Sequence, residues 1–104
     1  SKINVLHMEL FSHYLDKLRS TPDGDGTLLD HTLILYGGGM SNSNVHAHDN
    51  LPTLVVGGGA GPVKGGSHRT YPKETPITNL LLRLLEKVDV PMEKFSDSTG
   101  KLDL

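Results

Sequence analysis

The order helix, strand, strand, helix, with both strands reading as unbroken apolar runs, predicts an α/β fold. In that fold a partial three-layer sheet is flanked by helices. Three observations carry the prediction. Apolar residues recur at steps of three and four over residues 3–19 and 76–88, the period of a helix. Two short β-rich runs, "TLILY" (32–36) and "TLVVG" (53–57), each stop in a cluster of glycines. Two strands cannot close a sheet, so residues 1–104 read as one partial domain with unpaired edges. They are expected to form the last part of a larger α/β domain, or a partner in a homo-oligomer joined through those edges.

The elements follow in order. Ile3, Leu6, Leu10, Tyr14, Leu15 and Leu18 fall on one side of the first helix. His7, Glu9, Ser12, His13, Asp16 and Lys17 fall mostly on the other, which makes His7 and His13 solvent-facing. "STPDGDGT" (20–27) combines proline, glycine and aspartate in the manner of turns. His31 directly precedes the first strand and reads as a turn residue. Both strands are expected to be buried. "PVKGGSHRTYP" (62–72) is mostly loop, and Thr75–Pro76 forms an N-cap and first-turn pair. Behind it Ile77, Leu80, Leu81, Leu84, Leu85 and Val88 make a wide apolar stripe over a helix spanning 76–88. The polar tail, 96–104, is expected to be irregular.

Composition narrows the function classes. A formal net charge of −2 with mixed signs provides no basic footprint for nucleic acid and no polybasic patch for a membrane surface. No apolar run reaches bilayer length. The absence of cysteine removes thiolate chemistry and any cysteine-type zinc site. The chain opens directly on "INVLHMELF" with no initiating Met, so its natural start is expected upstream.

The glycine-rich segment "GGGAGPVKGGS" (57–67) invites comparison with phosphate-binding loops and fails it. The spacing to Lys64 is wrong, Pro62 interrupts the run, and no helical pattern follows the glycines. Tight turns and close backbone approach are the simpler reading. Position is more informative, because ligands of open α/β sheets sit beyond the carboxyl ends of the strands and both glycine clusters lie there.

"NVHAHDN" (44–50) leads out of the first cluster. Imidazole suits zinc and other divalent ions, and a neighbouring carboxylate adds charge neutralisation. On an extended segment His46 and His48 would point the same way, with Asp49 a further ligand or the partner that orients a histidine. His68, at the end of the second cluster, is another candidate ligand, and Lys64 and Arg69 beside it are candidates for meeting a substrate anion. The competing reading is a solvated loop whose histidines are incidental.

The stretches "DGDGTLLDHTLILYGGGMSNSNVHAHDNLPTLVVGGGAGPVKGGSHRTYP" and "TPITNLLLRLLEKVDVPMEKFSDSTG" resemble the C-terminal part of the bacterial domain-of-unknown-function family 1552. "HAHDNLP", the glycine–Lys64–glycine–His68 pattern and the "DSTG" segment are the parts most specific to it. That resemblance implies an exported protein and a more remote likeness to the alkaline-phosphatase and sulfatase superfamily of metal-dependent hydrolases. In alkaline phosphatases a zinc-binding histidine stands five residues before a short strand. Here His46 stands five before Leu51, and "LPTLVVG" follows.

The departure lies at the end of "TLILYGGGM", where the superfamily places an Asp-His or Asp-Asn metal-binding pair and this chain has Gly39 and Met40. Asn42 or Asn44 would be the substitutes nearest in the chain. The nucleophile and the first metal carboxylates would lie upstream. Three expectations follow: part of a divalent-metal, zinc-type hydrolase of phosphate or sulfate esters, a non-catalytic exported binding protein that keeps the fold, or a purely structural segment.

Overall fold

In the computed structural model, which describes Ser1–Leu104, the first helix α1 spans Lys2–Ser20. The hydroxyl of Ser1 accepts from the amide of Asn4 at 3.3 Å and caps its start. Phe11 half-buries and stacks on Tyr36, with ring centroids 4.4 Å apart. Leu15 and Leu18 complete the packed side. The expected apolar face is only partly used, since Ile3, Leu6 and Leu10 stand 65%, 53% and 59% exposed. The N-terminal turns of α1 simply have nothing opposite them. His7 and His13 are exposed, as their place in the pattern predicts.

After α1 the turn segment folds into a small hairpin, β1 (Pro22–Asp23) paired antiparallel with β2 (Gly26–Thr27). Gly24 takes φ +60° at the first position of the two-residue loop, where glycine is favoured. The hairpin is tied to the end of α1 by Leu28 N–H to Thr21 O at 3.0 Å and Leu29 N–H to Leu18 O at 3.3 Å.

Strands β3 (Ile34–Gly37) and β4 (Thr53–Val56) pair antiparallel, with Ile34 opposite Val56 and Gly37 opposite Thr53. The molecule is thus mixed α/β, with two helices and two small antiparallel sheets. The strands are not buried as expected. β3 alternates half-buried and exposed residues, β4 is half-buried except at Leu54, and Leu35 and Leu54 remain open to solvent. Neighbouring strand residues face opposite sides of a sheet. Tyr36 meets Phe11 of α1, while Leu33 and Leu35 line an open apolar groove with Leu81, Leu84, Leu85 and Phe95.

The second helix, α2, spans Ile77–Lys87. Its N-cap is Pro76, one residue later than expected, because the Thr75 hydroxyl donates backward to Pro72 O at 2.6 Å. The deepest part of α2 lies only partly on the leucine stripe, at Leu80. Leu82 is the one fully buried large side chain, and Thr78, Asn79 and Leu80 are buried beside it. Thr78, Asn79 and Arg83 bind the C-terminal tail, which is irregular as expected but firmly held. Asn79 accepts from the amide of Thr99 at 2.8 Å and donates to its hydroxyl at 3.1 Å. Thr78 donates to Asp97 at 2.8 Å, and Arg83 Nε donates to Leu102 O at 2.6 Å. Glu86 bridges Lys101 and Arg83, and those cations hold its carboxyl below the usual glutamate range. No helix is long and apolar enough to cross a membrane.

Candidate functional site

The histidine segment closes the connection between β3 and β4. Within it Ser41 and Ala47 come together, with Ser41 N–H to Ala47 O at 3.0 Å and Ala47 N–H to Asn42 O at 3.0 Å. The side chain of Asn42 accepts from the amide of Asn44 at 3.0 Å, which tightens the turn between them. His46 sits at φ +51° and Asn50 at φ +50°, so the backbone bends sharply at both. Left-handed backbone at a non-glycine residue is uncommon. The segment is therefore not the extended strand expected to point His46 and His48 the same way, because the Asn42–Ala47 bridge closes the turn before His48.

His48 is fixed by a specific bond. Its Nδ1 lies 2.7 Å from the carbonyl oxygen of Gly39, which can only accept. The proton is therefore on Nδ1, and in the neutral ring Nε2 keeps its lone pair. His46 and Asp49 are exposed, as are Lys64 and His68 in the second glycine segment. Arg69 is turned toward the tail: its Nη1 donates to Asp103 O at 2.9 Å, beside the Tyr71 hydroxyl, which donates to the same oxygen at 3.0 Å. No three side chains of histidine, aspartate or glutamate converge on one point that could hold an ion. The structure thus positions His48 individually but does not assemble His46, His48, Asp49 and His68 into one ligand set.

The glycine turn after β4 is structural, as its sequence suggests. Gly58 N–H donates to Leu29 O at 3.1 Å, Gly59 N–H to Thr32 O at 3.1 Å and Ala60 N–H to Asp30 O at 2.9 Å. Those amides are committed to carbonyls and cannot cradle an anion. A Cβ on Gly57 would stand 2.0 Å from Thr32 O, and φ is +99° there. Glycine is the residue this approach requires.

A second constellation was not visible in the sequence. His31, a turn residue as expected, lies between two carboxylates: Nδ1 is 2.9 Å from Asp23 Oδ2, and Nε2 is 3.1 Å from Asp25 Oδ1. The hydrogen bond to Asp23 raises the imidazole pKa above its ordinary value, with the charges of Asp23 and Asp25 acting in the same direction against a desolvation cost. Asp30 accepts from the amide of Thr27 at 2.8 Å, and that bond, with the Thr27 hydroxyl and the charge of His31, lowers its pKa. The only sequence signal was the density of aspartates in "DGDG", and it does not reveal which histidine the hairpin will bring to them. No protein-family model, curated protein or solved structure matches the chain.

Proposed function

We infer that residues 1–104 form the C-terminal part of a metal-dependent hydrolase of phosphate or sulfate esters, exported from the cell, whose nucleophile lies on preceding elements. The observation that carries this reading is the bond from His48 Nδ1 to Gly39 O. Metal-binding histidines are typically oriented by donating their other ring proton to a carbonyl or carboxylate, which leaves the free nitrogen aimed and basic. His46, Asp49 and His68 would complete the ligand set together with groups outside this chain. A divalent ion such as zinc, bound there, polarises an ester oxygen and helps to activate a nucleophile. Lys64 would meet the substrate anion as a point charge. Arg69, with one of its five donors held by Asp103 O, would present the others.

The layered architecture of a larger alkaline-phosphatase-like domain is part of the same proposal. It is supported by α1 meeting the β3–β4 pair at Tyr36 while α2 lies across the groove from Leu35, its neighbour in the strand. Further strands would add to the free edges of that pair, and a second copy of the chain could use the same edges. A specific observation favours a second reading, a non-catalytic binding protein. Gly39 and Met40 stand where the resemblance calls for a metal-binding pair, and the Gly39 carbonyl is already engaged by His48.

Zinc titration followed by calorimetry is the first test. His48→Ala and His46→Ala are each expected to weaken zinc binding by about ten-fold or more. Unchanged affinity in both variants would end the metal reading. Hydrolysis of an aryl phosphate or sulfate by a protein that includes the preceding elements, abolished by a chelator, separates the enzyme from the binding protein. Residues 1–104 alone are expected to show no turnover.

A further inference from the structure

The geometry points to His31 as a proton-operated clamp: as the imidazolium it holds Asp23 and Asp25 of the β1–β2 hairpin against the 28–32 segment, and on losing its proton it releases one of them. Both ring nitrogens lie within hydrogen-bond reach of a carboxylate, at 2.9 and 3.1 Å. An ionised carboxylate only accepts, so both bonds require two N–H donors, and only the charged ring has two. In either neutral tautomer one nitrogen turns a lone pair toward a carboxylate, and that contact becomes repulsive. The carboxylates approach opposite sides of the ring, so they do not share a point at which an ion would replace the proton.

The clamp sits at a joint. Residues on either side of His31 provide the carbonyls that hold the glycine turn after β4: Asp30 O accepts from Ala60 and Thr32 O from Gly59. On the other side, Leu28 and Leu29 tie the hairpin to the end of α1. A change in His31 is therefore passed to the turn that opens the segment carrying Lys64, His68 and Arg69. The charged groups around it are few. Asp23 and Asp25 come from the hairpin and Asp30 from the adjoining bend, where its carboxylate is occupied by Thr27. The last turn of α1 carries Lys17 and Arg19, and Arg19 is paired with Asp16 at 2.9 Å. Residues 57–63 contribute no titratable side chain. Partial exposure of the ring, 30%, leaves it open to exchange protons with solvent.

The direction of the pH effect follows from linkage. A histidine whose pKa is raised by folding contributes its full stabilisation below the unfolded value of about 6.5. That contribution is lost as pH rises through the folded value. Histidine is the side chain suited to such a change near neutrality.

The test is an NMR titration of the 104-residue chain. His31 is expected to titrate at a midpoint above the ordinary imidazole value of about 6.5, and the amide shifts of Thr27, Gly58 and Ala60 are expected to move with that same midpoint. In the double variant Asp23→Asn, Asp25→Asn the His31 midpoint should fall toward that ordinary value, and the step in the amide shifts should disappear. His31→Gln should also remove the step. A His31 midpoint at or below the ordinary imidazole value would overturn the clamp, as would Gly58 and Ala60 remaining still while the ring titrates. Both results are read in the unaltered protein, so they do not depend on any variant folding.

Discussion

Asn79 shows what one buried polar side chain does here. Its side-chain oxygen accepts from the amide of Thr99, its side-chain nitrogen donates to the Thr99 hydroxyl, and its own carbonyl accepts from Leu102 N–H at 3.1 Å. Every buried side-chain polar atom has a partner, so the network is complete as it stands. Truncation to alanine would keep the backbone bond and strand two groups on Thr99. Thr99 itself is exposed, so water can take up those groups, and the loss is the net worth of the bonds, about 0.5–1.5 kcal/mol each. Asn79→Ala is therefore expected to lower stability by about that amount in urea denaturation. A change below about 0.5 kcal/mol would mean that water replaces the side chain without loss. None of this could be read from the sequence. An asparagine in the first turn of a predicted helix has no visible partner when that partner lies 20 residues away in a polar tail. His31 was hidden for the same reason, since its acceptor is Asp23, eight residues back across a hairpin.

At the scale of elements, local pattern and tertiary context separate cleanly. The helix expected at 76–88 appears at Ile77–Lys87, the run at 32–36 overlaps β3 and the run at 53–57 contains β4, because periodicity and glycine punctuation are local signals. Which face packs is not local. Leu81, Leu84, Leu85 and Val88 of the α2 stripe line an open groove, while Leu80 of the same stripe is buried and Leu82, outside it, is fully buried. The end of α2 has a further feature that periodicity alone did not indicate. Val90 N–H donates to Leu85 O at 2.9 Å and Asp89 N–H to Glu86 O at 3.2 Å, the paired bonds of a Schellman cap. That motif places its first residue beyond the cap in the left-handed region, and Asp89 occupies it at φ +62°. Glycine adopts this conformation without a steric penalty, while an L-residue pays roughly 1 kcal/mol or more. Asp89→Gly is expected to stabilise the protein by roughly 0.5–1 kcal/mol after the added freedom of the unfolded chain is counted. A lower denaturation midpoint in that variant would show that the aspartate side chain contributes more than its backbone strain costs.

At the scale of the molecule, the proportions are those of a structure with little interior. The radius of gyration is 15.2 Å, against about 13 Å for a compact chain of 100 residues. Five of the 104 residues are buried, and all of them lie on α2 or in the tail that clasps it. The Phe11–Tyr36 stack joins α1 to β3, the groove beneath α2 stays open, and both edges of the β3–β4 pair are free. A fold of this kind exposes less new apolar surface on unfolding than a complete domain of equal length. The heat-capacity change of unfolding follows that surface and is about 1.2–1.5 kcal/mol/K for 100 residues of ordinary globular protein. Scanning calorimetry of residues 1–104 is expected to give a value well below that range, with a broad transition and binding of a hydrophobic dye before heating. Addition of the elements proposed to complete the sheet should raise the heat-capacity change by more than their own length accounts for, because they would bury Ile3, Leu6, Leu10 and Leu35 as well as their own apolar surface. A sharp transition with a full-sized heat-capacity change in the dilute monomer would mean that these exposed residues already have partners within the chain. The larger-domain reading would then lose its physical basis, whatever the histidines of the β3–β4 connection bind.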